Sequence, residues 1–199
     1  AQVHHAGRAT RQVSIEGEQP VAPSPIPAGG KYPDRPRELS VADIHEMIDH
    51  YVQTARRCKE AGFDAIELHY AHGYLPCQFM SPHSNKRSDG YGGDLNGRMR
   101  FPLELLEAVG SEMGEEMPVW CRIVGSELTD GGLTLEDTTV IARMLAEGGA
   151  AAISVSRGVA PYYWTVSNYY HELGHSVPYA EAIRDEVDVP VMVAGRIVR

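Results

Sequence analysis

Short apolar runs alternate with amphipathic stretches along the whole chain. Ala1 to His5 reads as a strand that runs into the turn Ala6-Gly7-Arg8. Residues 14–38 hold six of the thirteen prolines together with Gly29-Gly30, which predicts a long irregular loop. A helix is predicted from Ser40, an N-cap residue with Asp43 at N3. Its apolar positions are Val41, Ile44, Met47, Ile48 and Tyr51, and it ends at Gly62. Ala65 to Leu68 is the next strand, and residues 70–94 form a second long loop. A helix follows over Arg98 to Ser111, then a strand over Val119 to Val124. Thr134 caps a helix ending at Gly148-Gly149, and Ala151 to Val155 is again a strand. A third loop covers Arg157 to Ser176, Pro178 sits in the first turn of a helix, and Val189 to Ala194 is the last strand.

Four helix-then-strand units in succession imply parallel strands joined by right-handed crossovers. Several strands read as apolar throughout, as expected where both faces are buried. A (β/α)8 barrel and a doubly wound sheet both satisfy this pattern. Loops after strand C-termini are long and chemically rich, whereas helix-to-strand turns such as Ala61-Gly62-Phe63 are short. Ligands bind at strand C-termini in either architecture. Function is therefore expected at His4 to Arg8, His69 to Gly93, Arg122 to Gly132, Ser156 to His175 and Gly195-Arg196.

The length of 199 residues and 43% apolar content suit one core and one domain, residues 1–199. A complete barrel takes about 250 residues. The chain opens on Ala1 and stops at Arg199 straight after a strand, so a piece of a longer protein, extended at both ends, is expected. A formal charge of −9 without a basic run argues against nucleic acid. Nothing approaches the roughly 18 apolar residues of a membrane span. Cys58, Cys77 and Cys121 are odd in number and show no C-x-x-C spacing, which fits a reducing cytoplasm and disfavours a disulfide framework or zinc site. No iron–sulfur ligand set is present in these residues, though one can lie beyond Arg199.

The densest chemistry is Glu67-Leu68-His69-Tyr70-Ala71-His72-Gly73-Tyr74, directly after a strand. Two imidazoles can donate hydrogen bonds to a carbonyl oxygen, and a tyrosine hydroxyl can deliver a proton. The plainer alternative is that one histidine serves structure and Tyr74 only packs. Glu67, His69 and His72 are also zinc-type residues, but strand alternation aims Glu67 and His69 one way while His72 already lies in the loop. The loop Ser81 to Gly93 reads as scaffolding, with Lys86, Arg87 and Asp89 able to tie it to neighbouring elements. Arg122 inside Trp120-Cys121-Arg122-Ile123-Val124 is costly unless paired or facing an anionic ligand. Gly195-Arg196 ends the last strand, where a glycine lets backbone N–H groups approach a phosphate.

Together these segments resemble the old yellow enzyme family of NADH:flavin oxidoreductases, in particular its branch with 2,4-dienoyl-CoA reductase and trimethylamine dehydrogenase. The resemblance covers nearly all of the chain. It is carried by Gln2-Val3-His4-His5-Ala6-Gly7-Arg8, Val21 to Pro25, Pro36 to Ser40, Ala61 to Asp64, Glu67 through Gly93, and Val193 to Ile197. It implies a (β/α)8 barrel with FMN at its C-terminal mouth, of which this chain supplies strands three to seven. Gln2 falls where the family contacts the pyrimidine edge of the flavin, and Arg122 where a cation sits by N1 and O2. Gly195 and Arg196 match the start of the phosphate-binding region. His69 and His72 match the substrate-anchoring pair, and Tyr74 the proton donor. The implied reaction passes electrons from NADH or NADPH through FMN to an activated alkene, in a protein expected to be a homo-oligomer acting on small molecules.

Several positions depart from the pattern. Tyr70 replaces a usually small residue, which is expected to narrow the pocket. Gly158 to Tyr162 lacks the Trp-His-Glu run of some dienoyl-CoA reductases. Tyr74 to Phe79 and Gly174 to Pro178 resemble the amine dehydrogenases, where the reaction is oxidative N-demethylation with electrons leaving through a 4Fe-4S cluster. The trimethylamine enzyme, however, has Tyr where His69 stands. A metal-dependent barrel lyase using His69 and His72 is the reading from another class, and it leaves Gln2, Arg122 and Gly195 unexplained. A chain lacking three strands would also expose two sheet edges, so the isolated fragment is expected to self-associate or bind nothing.

Overall fold

The structure is a computed structural model that describes residues 1–162 and 169–198. Strand β1 (Gln2–Val3) is followed by a long excursion. Within it, β2 (Val21–Ala22) and β3 (Arg37–Glu38) pair as a short parallel ribbon. This ribbon lies inside the predicted 14–38 loop and is too short to leave a periodic signal. Helix α1 (Val41–Glu60) starts at the predicted cap: Ser40 Oγ accepts from Asp43 N at 3.1 Å, and Asp43 Oδ2 accepts from Ser40 N at 2.8 Å. Strand β4 (Ile66–Tyr70) runs two residues further than its apolar run suggests. Helix α2 (Leu75–Met80) was not expected; all six of its residues are buried, so no polar face betrays it.

Helix α3 (Leu95–Met113) begins three residues before the predicted start, because Asp94 caps it by accepting from Gly97 N at 2.9 Å. Strand β5 (Val119–Val124) matches its predicted bounds. Helix α4 (Leu135–Glu147) carries the Thr134–Asp137 capping box, and β6 (Ile153–Ser156), α5 (Val177–Arg184) and β7 (Val191–Val193) complete the chain. Part of the predicted Arg157–Ser176 loop, residues 163–168, lies outside the described residues.

The main sheet has the order β1-β4-β5-β6-β7, every pair parallel. The order follows the chain without reversal, and α1, α3, α4 and α5 touch in sequence. A doubly wound sheet would reverse its strand order and place helices on both faces. This arrangement is instead an arc of a (β/α)8 barrel.

Register decides which side chains face the barrel interior. Glu67 pairs with Gln2 and Trp120, while His69 pairs with Arg122, which in turn pairs with Ser154. Ile66, Leu68, Tyr70, Cys121, Ile123, Ile153 and Val155 point the other way, fully or almost fully buried against α3 and α4 residues such as Phe101, Leu105 and Ile141. The strands thus alternate, contrary to the apolar-throughout reading. Their outer face is the hydrophobic core, and their inner face is polar.

Tyr70 belongs to the outer set. It is fully buried and its hydroxyl donates to the Pro102 carbonyl of α3 at 2.9 Å. It therefore cannot narrow the pocket, because alternation turns it away from His69. The loop 81–93 is scaffolding: Arg87 donates to the Pro23 carbonyl at 3.1 Å and the Leu39 carbonyl at 2.6 Å, and binds Asp89 at 2.6 Å. These bonds tie the loop to both sides of the β2–β3 ribbon. Lys86 donates to the Pro82 carbonyl within its own loop.

Candidate active site

At the C-terminal ends of β1 and β4, four rings converge. His69 lies with its ring centroid 5.1 Å from His72 and 4.9 Å from Tyr74, and His4 sits 4.9 Å from Tyr74. The turn after β4 makes this possible. His72 has φ +58° and Gly73 φ +74°, so two consecutive left-handed residues fold the chain back and return Tyr74 over His69. A Cβ on Gly73 would lie 2.6 Å from the Val159 side chain, so glycine is required there. His72 also bridges to Val159, and its carbonyl accepts from Ala160 N at 3.0 Å.

His69 Nδ1 accepts from Ala71 N at 3.2 Å, His69 Nε2 faces His72 Nδ1 at 3.3 Å, and His72 Nε2 meets Ser156 Oγ at 2.7 Å. Burial, then the neighbouring His72, Arg122 and His4, hold His69 down at about 3. Burial and Arg122 hold His72 at about 4. Both rings are neutral near pH 7, so each offers a single N–H.

Arg122 projects into the same interior, one strand over from His69. Its Nε is buried and has no hydrogen-bond partner among the described residues. Gln2 lies about one side-chain repeat deeper, and its amide donates to Glu67, whose other oxygen accepts from Trp120 Nε1 at 2.8 Å. With Glu67 held by these two partners, and the His72 nitrogens by His69 and Ser156, the three zinc-type residues do not converge. Among the described residues no group of three or more His, Cys, Asp or Glu is placed to hold a metal ion.

Gly195 (φ +133°) and Arg196 follow β7 at the same end of the sheet. The Arg196 guanidinium turns toward the β6–α5 loop, donating to the His171 carbonyl and lying 5.1 Å from the Tyr169 ring centroid. Register thus brings His69, His72, Tyr74 and Arg122 together with Gln2 below them, while Gly195 and Arg196 stand at the far strand. Sequence reasoning did not single out Ser156, which is 2% exposed, or the tie of Glu67 to Gln2. Counting inner-face positions along β6 from Ser154 finds the first. No local signal marks the second.

A half-buried arginine whose Nε is buried and unpartnered, beside neutral imidazoles, suits an electron-rich acceptor, and that chemistry fits the pyrimidine edge of a flavin. The profile of the NADH:flavin oxidoreductase / NADH oxidase family matches residues 1–199. The chain belongs to this family. It is 45% identical over 199 residues to an NADH oxidase of Thermoanaerobacter brockii, covering 98% of this chain and 30% of that protein. It is 41% identical over 197 residues to an NADPH dehydrogenase of Geobacillus, covering 98% and 54%. Among solved structures, 2-naphthoyl-CoA reductase in complex with 2-naphthoyl-CoA superposes with a TM-score of 0.91 at 26% identity, over 99% of this chain and 32% of that one. Histamine dehydrogenase from Rhizobium sp. 4-9 gives 0.88 at 28%, over 98% and 28%. The chain thus spans between about a third and a half of the relatives it matches, and its fold is an incomplete barrel of the old yellow enzyme type. Among the described residues no helix is long and apolar enough to cross a membrane.

Proposed function

We propose that the protein containing this chain is an FMN-dependent NAD(P)H oxidoreductase that reduces an activated alkene. The observation that carries this reading is the buried Arg122 Nε without a partner, on the same inner face as His69 and Gln2. When bound, FMN would accept and donate hydride. Arg122 would stabilise negative charge on its pyrimidine edge, where Gln2 would add a hydrogen bond. Gly195 and Arg196 would border the phosphate. His69 and His72 would hold the activating carbonyl, and Tyr74 would deliver a proton to the α-carbon. Unpaired cysteines favour a reducing cytoplasm, and the incomplete arc favours burial of its edges in a longer, homo-oligomeric protein acting on small molecules.

Amine oxidation, with electrons passing to a 4Fe-4S cluster outside this chain, is the second reading; the likeness to histamine dehydrogenase favours it. An absorption spectrum of the full-length protein, before and after anaerobic NAD(P)H, tests the proposal. A flavin band near ~450 nm that bleaches, then recovers with an enone, supports ene-reduction. Recovery only after an electron acceptor, with a methylated amine as reductant, would move the assignment to the second reading. A colourless protein that FMN cannot reconstitute would overturn both.

A further inference from the structure

The hydrogen bonds around the two imidazoles run in one direction. A backbone N–H only donates, so His69 accepts at Nδ1 from Ala71 and, being neutral, carries its proton on Nε2. That nitrogen faces His72 Nδ1 at 3.3 Å, so His72 accepts there and carries its own proton on Nε2. Its Nε2–H then donates to Ser156 Oγ at 2.7 Å. In this state the gap between the rings holds one proton. A carbonyl oxygen entering it would receive the His69 N–H and meet a lone pair on His72.

Two donors face such an oxygen only if the His72 proton sits on Nδ1. Nε2 then needs a donor of its own. Ser156 supplies one, because a hydroxyl both accepts and donates. It is held in place at the C-terminal end of β6, 2% exposed, with its carbonyl accepting from Gly125 N at 2.8 Å. An alanine would leave Nε2 unpartnered, and a carboxylate could only accept.

We propose that Ser156 is a positioning residue that sets the tautomer of His72, accepting from Nε2–H in the free protein and donating to Nε2 when a carbonyl oxygen enters between the imidazoles. The ring loses one proton at Nε2 and gains one at Nδ1, its charge is unchanged, and the serine hydroxyl only rotates. The identity of the ligand rests on the ene-reduction reading, whereas the free-state tautomer does not.

The test uses full-length, flavin-loaded protein labelled with 15N-histidine, observed by long-range 1H–15N NMR with and without cyclohex-2-enone, NAD(P)H being omitted. The expected result is His72 protonated on Nε2 in the free protein and on Nδ1 in the complex. Ser156→Ala is expected to abolish that change and raise KM for cyclohex-2-enone about tenfold, the effect of one hydrogen bond left unmade. Ser156→Thr, which keeps the hydroxyl, is expected to restore both. A His72 tautomer that is the same in both states, or a Ser156→Ala variant with wild-type KM, overturns the proposal. If the wild-type protein does not bind the enone, the ene-reduction reading fails. The proposal is then decided by the free-state spectra: a shifted His72 Nε2 resonance in Ser156→Ala, with the tautomer still fixed by His69, supports the contact, and identical spectra overturn it.

Discussion

At the residue scale, burial holds the two imidazoles of the candidate site, His69 and His72, in the neutral state. In the unfolded chain His69 and His72 titrate near 6.5, whereas in the fold they are held at about 3 and about 4. Between these values the unfolded chain binds protons that the folded chain does not, so acidification from pH 6.5 toward 4 destabilises the fold, and above pH 7 the contribution is constant. Thermal unfolding of the full-length protein between pH 7.5 and 5 is expected to show this loss, with a shallower slope in the His69→Asn/His72→Asn double variant. Arg122 is the second case. Arg122→Leu replaces a half-buried arginine with an unpartnered Nε by an apolar side chain, so the fold is expected to persist while the flavin is lost. Far-UV circular dichroism and flavin absorbance after gel filtration read the two separately, and full flavin occupancy in this variant would remove Arg122 from the cofactor site.

At the element scale, alternation along β4 sets two neighbouring residues to different tasks. His69 enters the site and Tyr70 enters the core, where its hydroxyl reaches α3. Tyr70→Phe is expected to cost about 1 kcal/mol in urea unfolding, the net worth of one buried hydrogen bond to a carbonyl that keeps its place in the helix. Substrate preference should be unchanged, and a shift in preference among alkenes of different bulk would contradict the outward placement. Arg87 fixes a larger unit, joining the loop 81–93 to the β2–β3 ribbon from a side chain only 4% exposed. Arg87→Ala leaves two buried carbonyls unsatisfied and is expected to cost about 2–3 kcal/mol by the same measurement. The caps at Ser40 and Thr134 were legible because each is a local pattern of four residues. Helix α2 was not legible, since Pro76 and six uniformly buried positions give no periodicity.

At the scale of the whole molecule, five parallel strands form an open arc with β1 and β7 at its edges. The inner face of the arc includes Met192, 39% exposed, and the half-buried Trp120 two strands away. Edges of this kind pair with other chains unless covered. The isolated 199-residue chain is therefore expected to self-associate in size-exclusion chromatography with light scattering and to retain FMN far below one per chain. The longer protein is expected to be discrete in size and yellow. A compact, flavin-loaded monomer of the isolated chain would show that the arc is self-sufficient.

The sequence by itself determined the order of the main-sheet strands and of α1, α3, α4 and α5, the caps of α1 and α4, and the ends of the strands at which chemistry collects. These depend on contacts within a few residues and on hydrophobic periodicity, both written locally. Resemblance added the roles proposed for His69, His72, Tyr74 and Arg122. Periodicity alone left the barrel arc and a doubly wound sheet open, resemblance implied the barrel, and the tertiary structure showed it, because strand order is a relation between segments more than thirty residues apart. Only the tertiary structure decided that Tyr70 faces outward, that Glu67 is held by Gln2 and Trp120, and that Ser156 stands 2.7 Å from His72, 84 residues away in the chain. Each follows from inter-strand register, which a parallel sheet sets through its whole packed core.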